Sequence, residues 1–238
     1  MIHINYMYMN QQGMEITMFI QLNGQILYYE KKGEGSPIIL VHGNGESHEI
    51  FDVLIAKLSK EHTVYAVDSR GHGQSASPKE FHYADMAEDM AEFIDGLRIE
   101  KPAFYGFSDG AIIGLLLASK YPDKLSALII SGANLHPKDI KHRLYRKIRR
   151  RVRKTQDPLA KLMLTEPDIP LDQLTFISVP TLVLAGSKDI VKPKVTKAIA
   201  KNIPDAALQI LENETHGSYV EHSDKLFPLI QDFLSKSY

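Results

Sequence analysis

Short apolar runs alternate with amphipathic segments along most of this chain. Six of the runs are apolar at nearly every position, as is typical of strands buried on both faces of a sheet. They are Pro37–Val41, Val64–Val67, Ala103–Tyr105, Ala127–Ser131, Thr181–Ala185 and Ala207–Leu211. Ahead of them, Phe19–Leu22 and Ile26–Glu30 flank the pair Asn23-Gly24, which favours a β-hairpin.

Segments with a helical spacing of apolar residues separate the runs. In Tyr83–Leu97, for example, Met86, Met90 and Phe93 recur at intervals of four and three residues, which places them on one face of a helix. The other predicted helices are Ile50–Leu58, Ser108–Lys120, Lys194–Lys201 and Asp224–Ser235. Because strands that alternate with helices favour a parallel arrangement, we predict an α/β fold with a mostly parallel central sheet and helices on both faces.

Two parts of the chain break this alternation. Residues 134–179 contain no good strand pattern, and we predict an insertion there. Residues 1–14 are rich in Met, Asn, Gln and Tyr without clear periodicity, so we expect a frayed N-terminal extension. Residues 15–133 and 180–238 then form a single core domain, which agrees with a chain of 238 residues.

Composition limits the possible functions. The absence of cysteine excludes disulfides and thiolate catalysis. The start of the sequence lacks the pattern of a secretory signal, and no apolar run is long enough to span a bilayer. A formal net charge of −1 gives no overall attraction to nucleic acid or to anionic membranes. We expect a cytoplasmic protein that binds no nucleic acid and does not insert stably into a membrane; its oligomeric state stays open.

The positive charge is concentrated in one segment. Residues 134–155 carry ten Lys and Arg side chains against a single acid. Within the segment, Ile140, Leu144, Ile148 and Val152 recur every four residues, which predicts an amphipathic helix with one apolar side. Its basic side is either simply solvated, or it recruits an acidic partner or surface, or it helps to hold an anionic substrate.

A candidate nucleophile lies where a predicted strand gives way to a predicted helix. The sequence Gly106-Phe107-Ser108-Asp109-Gly110 has the form G-x-S-x-G, which at such a junction forces the serine into a strained turn and exposes its hydroxyl. Side chains at the two glycine positions would collide, because strand and helix nearly touch there. The pentapeptide alone is moderately specific, so the neighbouring loops must support it.

Two other loops supply the groups that a nucleophilic serine needs. A serine hydroxyl requires an imidazole to take its proton, and the imidazole requires a carboxylate to orient it. Asp189 follows the fifth of the six apolar runs and His216 follows the sixth, where the chemistry of a parallel sheet is found. We therefore predict a triad of Ser108, Asp189 and His216. His222 and Asp224 are competitors, but they fall where the last predicted helix begins.

Two backbone N–H groups are predicted to form an oxyanion hole, those of Asn44 in a glycine-rich loop and of Asp109 directly after the nucleophile. The carboxylate of Asp109 has two interpretations. Either it bonds to a neighbouring loop, or it faces the pocket and favours a substrate that carries an ammonium group. Phe107 and Asp109 are the candidate substrate-binding residues. No cofactor and no metal ligand are predicted.

These loops resemble those of the α/β-hydrolase superfamily. Val41-His42-Gly43 resembles its oxyanion loop, residues 68–75 (DSRGHGQS) its D-x-R-G-x-G-x-S turn, and Gly186-Ser187-Lys188-Asp189 its acid loop. The elbow around Ser108 and His216-Gly217 match as well. The resemblance implies an α/β-hydrolase fold and a hydrolytic enzyme that works through an acyl-serine, with residues 134–179 as a small helical cap. Serine at the elbow argues against the dehalogenase and epoxide hydrolase branches, which use aspartate there.

The leading hypothesis is a serine hydrolase of the carboxylesterase type that acts on a small-molecule ester, thioester or lactone. Two alternatives stay open. The same triad could cleave a carbon–carbon bond or make a peracid, because the pocket lining decides between these reactions. The fold could also serve a non-catalytic ligand-binding or interaction protein, because a fold alone does not guarantee activity.

Overall fold

The computed structural model describes residues 2–10, 13–22 and 24–237, and these residues form a single sheet of nine strands. The strands are β1 (Ile2–Asn10), β2 (Gly13–Leu22), β3 (Gln25–Lys32), β4 (Ser36–Val41), β5 (His62–Val67), β6 (Ala103–Phe107), β7 (Ala127–Ser131), β8 (Thr181–Gly186) and β9 (Ala206–Leu211). Their order across the sheet is β1-β2-β3-β5-β4-β6-β7-β8-β9. The first three strands join the sheet antiparallel and the others pair in parallel. The predicted mostly parallel α/β sheet is confirmed.

Seven helices complete the described part of the fold. They are α1 (Asp52–Leu58), α2 (Tyr83–Gly96), α3 (Asp109–Lys120), α4 (His142–Thr155), α5 (Pro158–Thr165), α6 (Pro193–Asn202) and α7 (Leu226–Ser237). Successive residues of a strand point to opposite faces of a sheet. Each central strand therefore contributes side chains to the hydrophobic cores on both faces. In β4, Ile39 and Val41 pack with α2, α3 and α6, whereas Ile38 and Leu40 pack with α1 and α7.

The two ends of the sheet differ from the sequence-based expectation. Residues 2–10, which the sequence analysis assigns to a frayed extension, form β1 and pair with β2; residues 1, 11 and 12 lie outside the described residues. At the other end, the run around Ala207–Leu211 is not buried on both faces. It forms the edge strand β9, whose Leu208 and Ile210 are each 39% exposed. The sequence of an apolar run does not show whether its strand lies at the edge or in the centre of the sheet, because burial depends on the elements that pack against the strand.

Between β7 and β8, the predicted insertion contains α4, α5 and two short 3₁₀ turns, Pro137–Asp139 and Leu171–Phe176. The predicted apolar side of α4 exists, and with Ile140 it packs against Ala160, Met163 and Leu164. These partners belong to α5 and not to the body of the protein. The basic side of α4 is thereby turned outward.

Candidate active site

Ser108 occupies the sharp turn between β6 and α3. Its backbone has φ of +53° and ψ of −110°, a conformation that costs energy for a residue with a side chain. At this turn, other backbone atoms lie very close to Gly106 and to Gly110. A Cβ atom on Gly106 would lie 2.1 Å from the carbonyl oxygen of Gly110, and one on Gly110 would lie 2.1 Å from that of Val41. The spacing of the two glycines therefore has the steric cause that the sequence analysis assigns to it.

The structure brings Ser108, His216 and Asp189 into one hydrogen-bonded row. The Oγ atom of Ser108 lies 3.0 Å from Nε2 of His216, and Nδ1 of His216 lies 2.8 Å from Oδ1 of Asp189. With the Nδ1 proton directed at the carboxylate, Nε2 is free to accept the serine proton. Burial acts to raise the pKa of Asp189, but hydrogen bonds from His216 and from the backbone outweigh it and hold that pKa below its usual range.

The competing residues near the C-terminus have other partners. Nδ1 of His222 lies 3.0 Å from Oδ1 of Asp52, and Oδ2 of Asp224 lies 3.6 Å from Nζ of Lys57. Both pairs are largely exposed. Neither side chain joins the row at Ser108.

Two backbone N–H groups beside Ser108 are left without an acceptor. Those of Gly43, Ser108 and Gly110 already donate within the protein, over 2.8 to 3.0 Å. Among the described residues, no protein acceptor pairs with the N–H of Asn44 or of Asp109. The two donors predicted for an oxyanion hole are thus free to bind a substrate oxygen.

Comparisons with known proteins agree with this geometry. A family described as the alpha/beta hydrolase fold matches residues 36–150. The serine hydrolase BPHL of Homo sapiens is 28% identical in a match that covers 90% of this chain and 85% of that protein. The chain has the α/β-hydrolase fold, and its sequence matches that family over part of its length.

Two further relatives extend this likeness. The pimeloyl-[acyl-carrier protein] methyl ester esterase of Aliivibrio salmonicida is 26% identical, over 87% of this chain and 95% of that protein. The structure of the meta-cleavage product hydrolase CumD from Pseudomonas fluorescens IP01 superposes with a TM-score of 0.77 and 21% identity, over 92% of this chain and 98% of the other. At that identity the superposition shows a shared fold alone.

Phe107 is buried at the end of β6, beside the imidazole of His216. Its side chain is 1% exposed, and its ring packs on the imidazole of His216 with centroids 4.9 Å apart. The residue before the nucleophile still belongs to β6, which is buried along its whole length. Phe107 therefore packs against the His216 ring, and its contact with substrate stays a prediction.

The contacts of Asp109 agree with the first of its two interpretations, in which the carboxylate bonds to a neighbouring loop. The residue is 5% exposed, and Nδ2 of Asn44 donates to its Oδ2 atom over 2.9 Å. The phenol of Tyr83 interacts with the same carboxylate and favours its ionised form. Burial raises the pKa of Asp109, although these interactions oppose the shift. The carboxylate thus bonds to the side chain of Asn44 in the neighbouring loop and does not stand free.

Sequence reasoning missed Glu46. Its Oε2 atom accepts a hydrogen bond from the N–H of Gly43 over 2.9 Å, directly beside the nucleophile. The signal in the sequence is weak, because a glutamate in a glycine-rich loop is more often exposed than turned inward. Among the described residues, no group of three or more His, Cys, Asp or Glu could hold a metal ion. Within the same residues, no helix combines the length and apolarity needed to cross a membrane.

Proposed function

We propose that this protein is a serine hydrolase that cleaves a small-molecule carboxylic ester, thioester or lactone through an acyl-serine intermediate. The observation that carries the proposal is the row of hydrogen bonds from Ser108 through His216 to Asp189, at 3.0 and 2.8 Å. The esterase and serine hydrolase relatives support it. No cofactor is required, because every step can be carried by side chains and backbone of this chain.

In the first half of the reaction, Ser108 Oγ bonds to the substrate carbonyl carbon while its proton moves to Nε2 of His216. The carbonyl oxygen gains negative charge, which the N–H groups of Asn44 and Asp109 stabilise. The bond to the leaving oxygen or sulfur then breaks, and His216 donates its proton to that atom. Asp189 stabilises the imidazolium that forms between the two transfers.

In the second half, water attacks the acyl-serine and gives its proton to His216. The carbon bond to Ser108 breaks, His216 returns the proton to Oγ, and the carboxylic acid leaves. A triad that cleaves a carbon–carbon bond or makes a peracid remains the alternative of the same class, and a protein without turnover is the alternative of another class.

We further propose that residues 134–179 form a cap over this site. The support is a direct contact, because Nδ2 of Asn44 donates to the carbonyl oxygen of Leu159 in α5 over 3.2 Å. Asn44 belongs to the predicted oxyanion loop, so α5 lies within a side chain's length of the reacting centre.

A fluorophosphonate probe and a mutant series test the proposed function. The probe should label the protein at Ser108, and Ser108→Ala should abolish the label. Ser108→Ala and His216→Ala should each lower kcat for an ester by about four to six orders of magnitude, and Asp189→Asn by somewhat less, with little further loss in double mutants.

His222→Ala is the matched control, because this histidine also pairs with an aspartate but lies away from Ser108; it should retain most of the activity. A folded parent protein that resists the probe and hydrolyses no ester, thioester or lactone would favour the non-catalytic alternative. Retention of more than about a tenth of the activity by His216→Ala would contradict the assigned base.

A further inference from the structure

The carboxylate of Asp109 is buried without a compensating cation. Among the described residues it takes part in no ion pair within 4.0 Å, and its burial is the main cause of its raised pKa. Asp109 is the first residue of α3, where the helix dipole favours a negative charge. A buried carboxylate is costly unless its oxygens are hydrogen-bonded. The partners of the Asp109 carboxylate should therefore show what this residue does in the fold.

The first partner joins the nucleophile elbow to the start of the cap helix α5. The single amide nitrogen of Asn44 donates to two acceptors, Oδ2 of Asp109 over 2.9 Å and the carbonyl oxygen of Leu159 over 3.2 Å. An amide nitrogen carries two protons, so both bonds can form together. Asp109 fixes the orientation of this amide and thereby the position of the first turn of α5.

The second partner joins the elbow to the end of the same helix. The phenol of Tyr83, which is 1% exposed, interacts with the carboxylate of Asp109, and this interaction lowers the pKa of Asp109 against the effect of burial. The backbone N–H of Tyr83 donates to Oε2 of Glu166 over 3.0 Å, and Glu166 is the residue that follows α5. The other oxygen of Glu166 lies 2.6 Å from Nδ1 of His82. The carboxylate of Glu166 is thus anchored at the N-terminus of α2.

We propose that Asp109 is a positioning residue that clamps both ends of α5 against the nucleophile elbow, through Asn44 at its start and through Tyr83 and Glu166 at its end. Its consequence for catalysis rests on the proposed function, since α5 would then limit the space for the acyl or alcohol part of the substrate. The clamp needs two correctly placed polar atoms at position 109. It does not need the negative charge that recognition of a substrate ammonium group would require.

Hydrogen exchange of the folded full-length protein tests the clamp without any substrate. Asp109→Ala removes both links, and loss of one hydrogen bond changes an opening equilibrium by up to roughly ten-fold. We expect the amides of residues 159–166 to exchange roughly ten-fold faster or more in this variant. Asp109→Asn should restore slow exchange, because its amide can accept from Asn44 and donate to the Tyr83 hydroxyl oxygen.

Tyr83→Phe removes only the hydroxyl and keeps the buried ring, so it tests one link even if Asp109→Ala fails to fold. It should accelerate exchange at the end of α5 by a few-fold. Tyr105→Phe is its matched control: this tyrosine is also fully buried and donates one hydrogen bond, to Ser131 Oγ over 3.1 Å. It lies in the opposite core and should leave exchange in α5 unchanged.

Separate effects on KM and on the rate of labelling at Ser108 would distinguish loss of the clamp from a general loss of stability. Relative to the parent, Tyr83→Phe should raise KM for a long-chain ester several-fold. It should leave the rate of labelling by a small fluorophosphonate unchanged, because the row at Ser108 is intact. If the parent protein resists the probe, the proposed function fails, but the exchange experiment still decides the clamp.

Three results would overturn the clamp. One is unchanged exchange of residues 159–166 in both Asp109→Ala and Tyr83→Phe. Another is an acceleration spread evenly over the whole chain, which would mean a global loss of stability. The last is Asp109→Asn exchanging as fast as Asp109→Ala, because the charge and not the two links would then hold α5.

Discussion

Glu46 places a carboxyl group beside Ser108, the proposed nucleophile. A side chain at Gly43 would meet Glu46 Oε2 at 2.6 Å and Ser108 Cβ at 3.0 Å, so both groups face the same small space. Burial raises the pKa of Glu46 to about 7, and the negative charges of Glu221 and Asp109 add to the shift. The hydrogen bond from Gly43 and the charge of His216 act in the opposite direction. The group therefore changes its charge in the neutral range.

Glu46→Gln keeps an acceptor for Gly43 but cannot ionise. A negative charge next to the developing oxyanion disfavours the transition state, and the parent carries this charge only above the pKa of Glu46. We expect kcat/KM of the variant for a neutral ester to exceed that of the parent by about two- to ten-fold above about pH 8 and to equal it below about pH 6.

The measurement is the ratio of the two pH profiles, with Glu49→Gln as control because Glu49 is an exposed glutamate of the same loop. A ratio that stays constant across the pH range would show that the charge of Glu46 does not act on the reaction.

The side chains that were predictable share a local signature, and those that were missed do not. Ser108, Asp189 and His216 each lie in the short segment after an apolar run, so the sheet itself brings them to one edge. Tyr83 and Glu166 reach the site only because α2 and α5 pack there, and neither has a motif around it. Tertiary contact between distant segments leaves no pattern in one sequence.

The helix α4 presents an almost uninterrupted basic surface. A groove of about 770 Å³ along it is lined by five cations, and a second groove of about 580 Å³ is lined by four. Arg146 lines both grooves. Arg151 differs from its neighbours, because it binds the carboxylate of Asp157, which caps the first turn of α5. The outward cations can therefore be replaced without changing Arg151, which supports the start of α5.

Replacing Arg146, Arg149 and Arg150 by Gln tests whether α4 attracts anionic substrates. We expect kcat/KM for an anionic ester to fall several-fold at low salt and the difference to vanish at high salt, since exposed charges are screened. The kcat/KM for a neutral ester should change little, because the apolar side of α4 keeps its contacts with α5.

Lys194, Lys197 and Lys201, exposed on α6, form the matched triple: their replacement by Gln removes the same charge elsewhere on the molecule. An equal loss for neutral and anionic esters in the α4 variant would assign the helix a structural role and contradict steering.

Helices and strands were predictable where they are long and periodic. The spacing in α4 predicted both its existence and its apolar side, but not that α5 instead of the body covers this side. For β1, the alternation of Ile2, His3, Ile4 and Asn5 is compatible with a strand, yet a strand at the end of a chain depends on a partner. That partner, β2, is recognisable only once the register is known.

The carboxylate of Asp68 ties several loops of the molecule to the sheet. Asp68 directly follows the buried strand β5 and has an exposure of 0%. It accepts hydrogen bonds from the backbone N–H of His48 over 2.7 Å, from Nδ1 of His48 over 2.8 Å and from the N–H of Gln74 over 2.9 Å. The loop after β4 and the glycine-rich turn after β5 therefore share one anchor.

The protonation of this anchor makes the stability of the whole molecule depend on pH. Burial alone would lower the pKa of His48, but hydrogen bonds to Asp68 and Glu30 outweigh it and raise the pKa from 6.5 to about 9. Burial would likewise raise the pKa of Asp68, but its hydrogen bonds, those from His48 foremost, hold it below its usual range. Asp68 thus stabilises the fold above its ordinary pKa and loses this contribution in acid.

His48 contributes stability that is fully present below its ordinary pKa of 6.5 and is lost as the pH rises through about 9. We expect the Tm of the parent to fall by on the order of 5 °C across this interval. His48→Asn should start from a lower Tm and lack this part of the pH dependence, because its amide donates to Asp68 without titrating.

His62→Asn is the control, since His62 is also buried but lies beside uncharged partners, the Ser36 carbonyl and Gln231. It should keep the slope of the parent. A parent Tm that is flat across this interval, or an unchanged slope in His48→Asn, would mean that the charge on His48 does not hold the loops around β5 together.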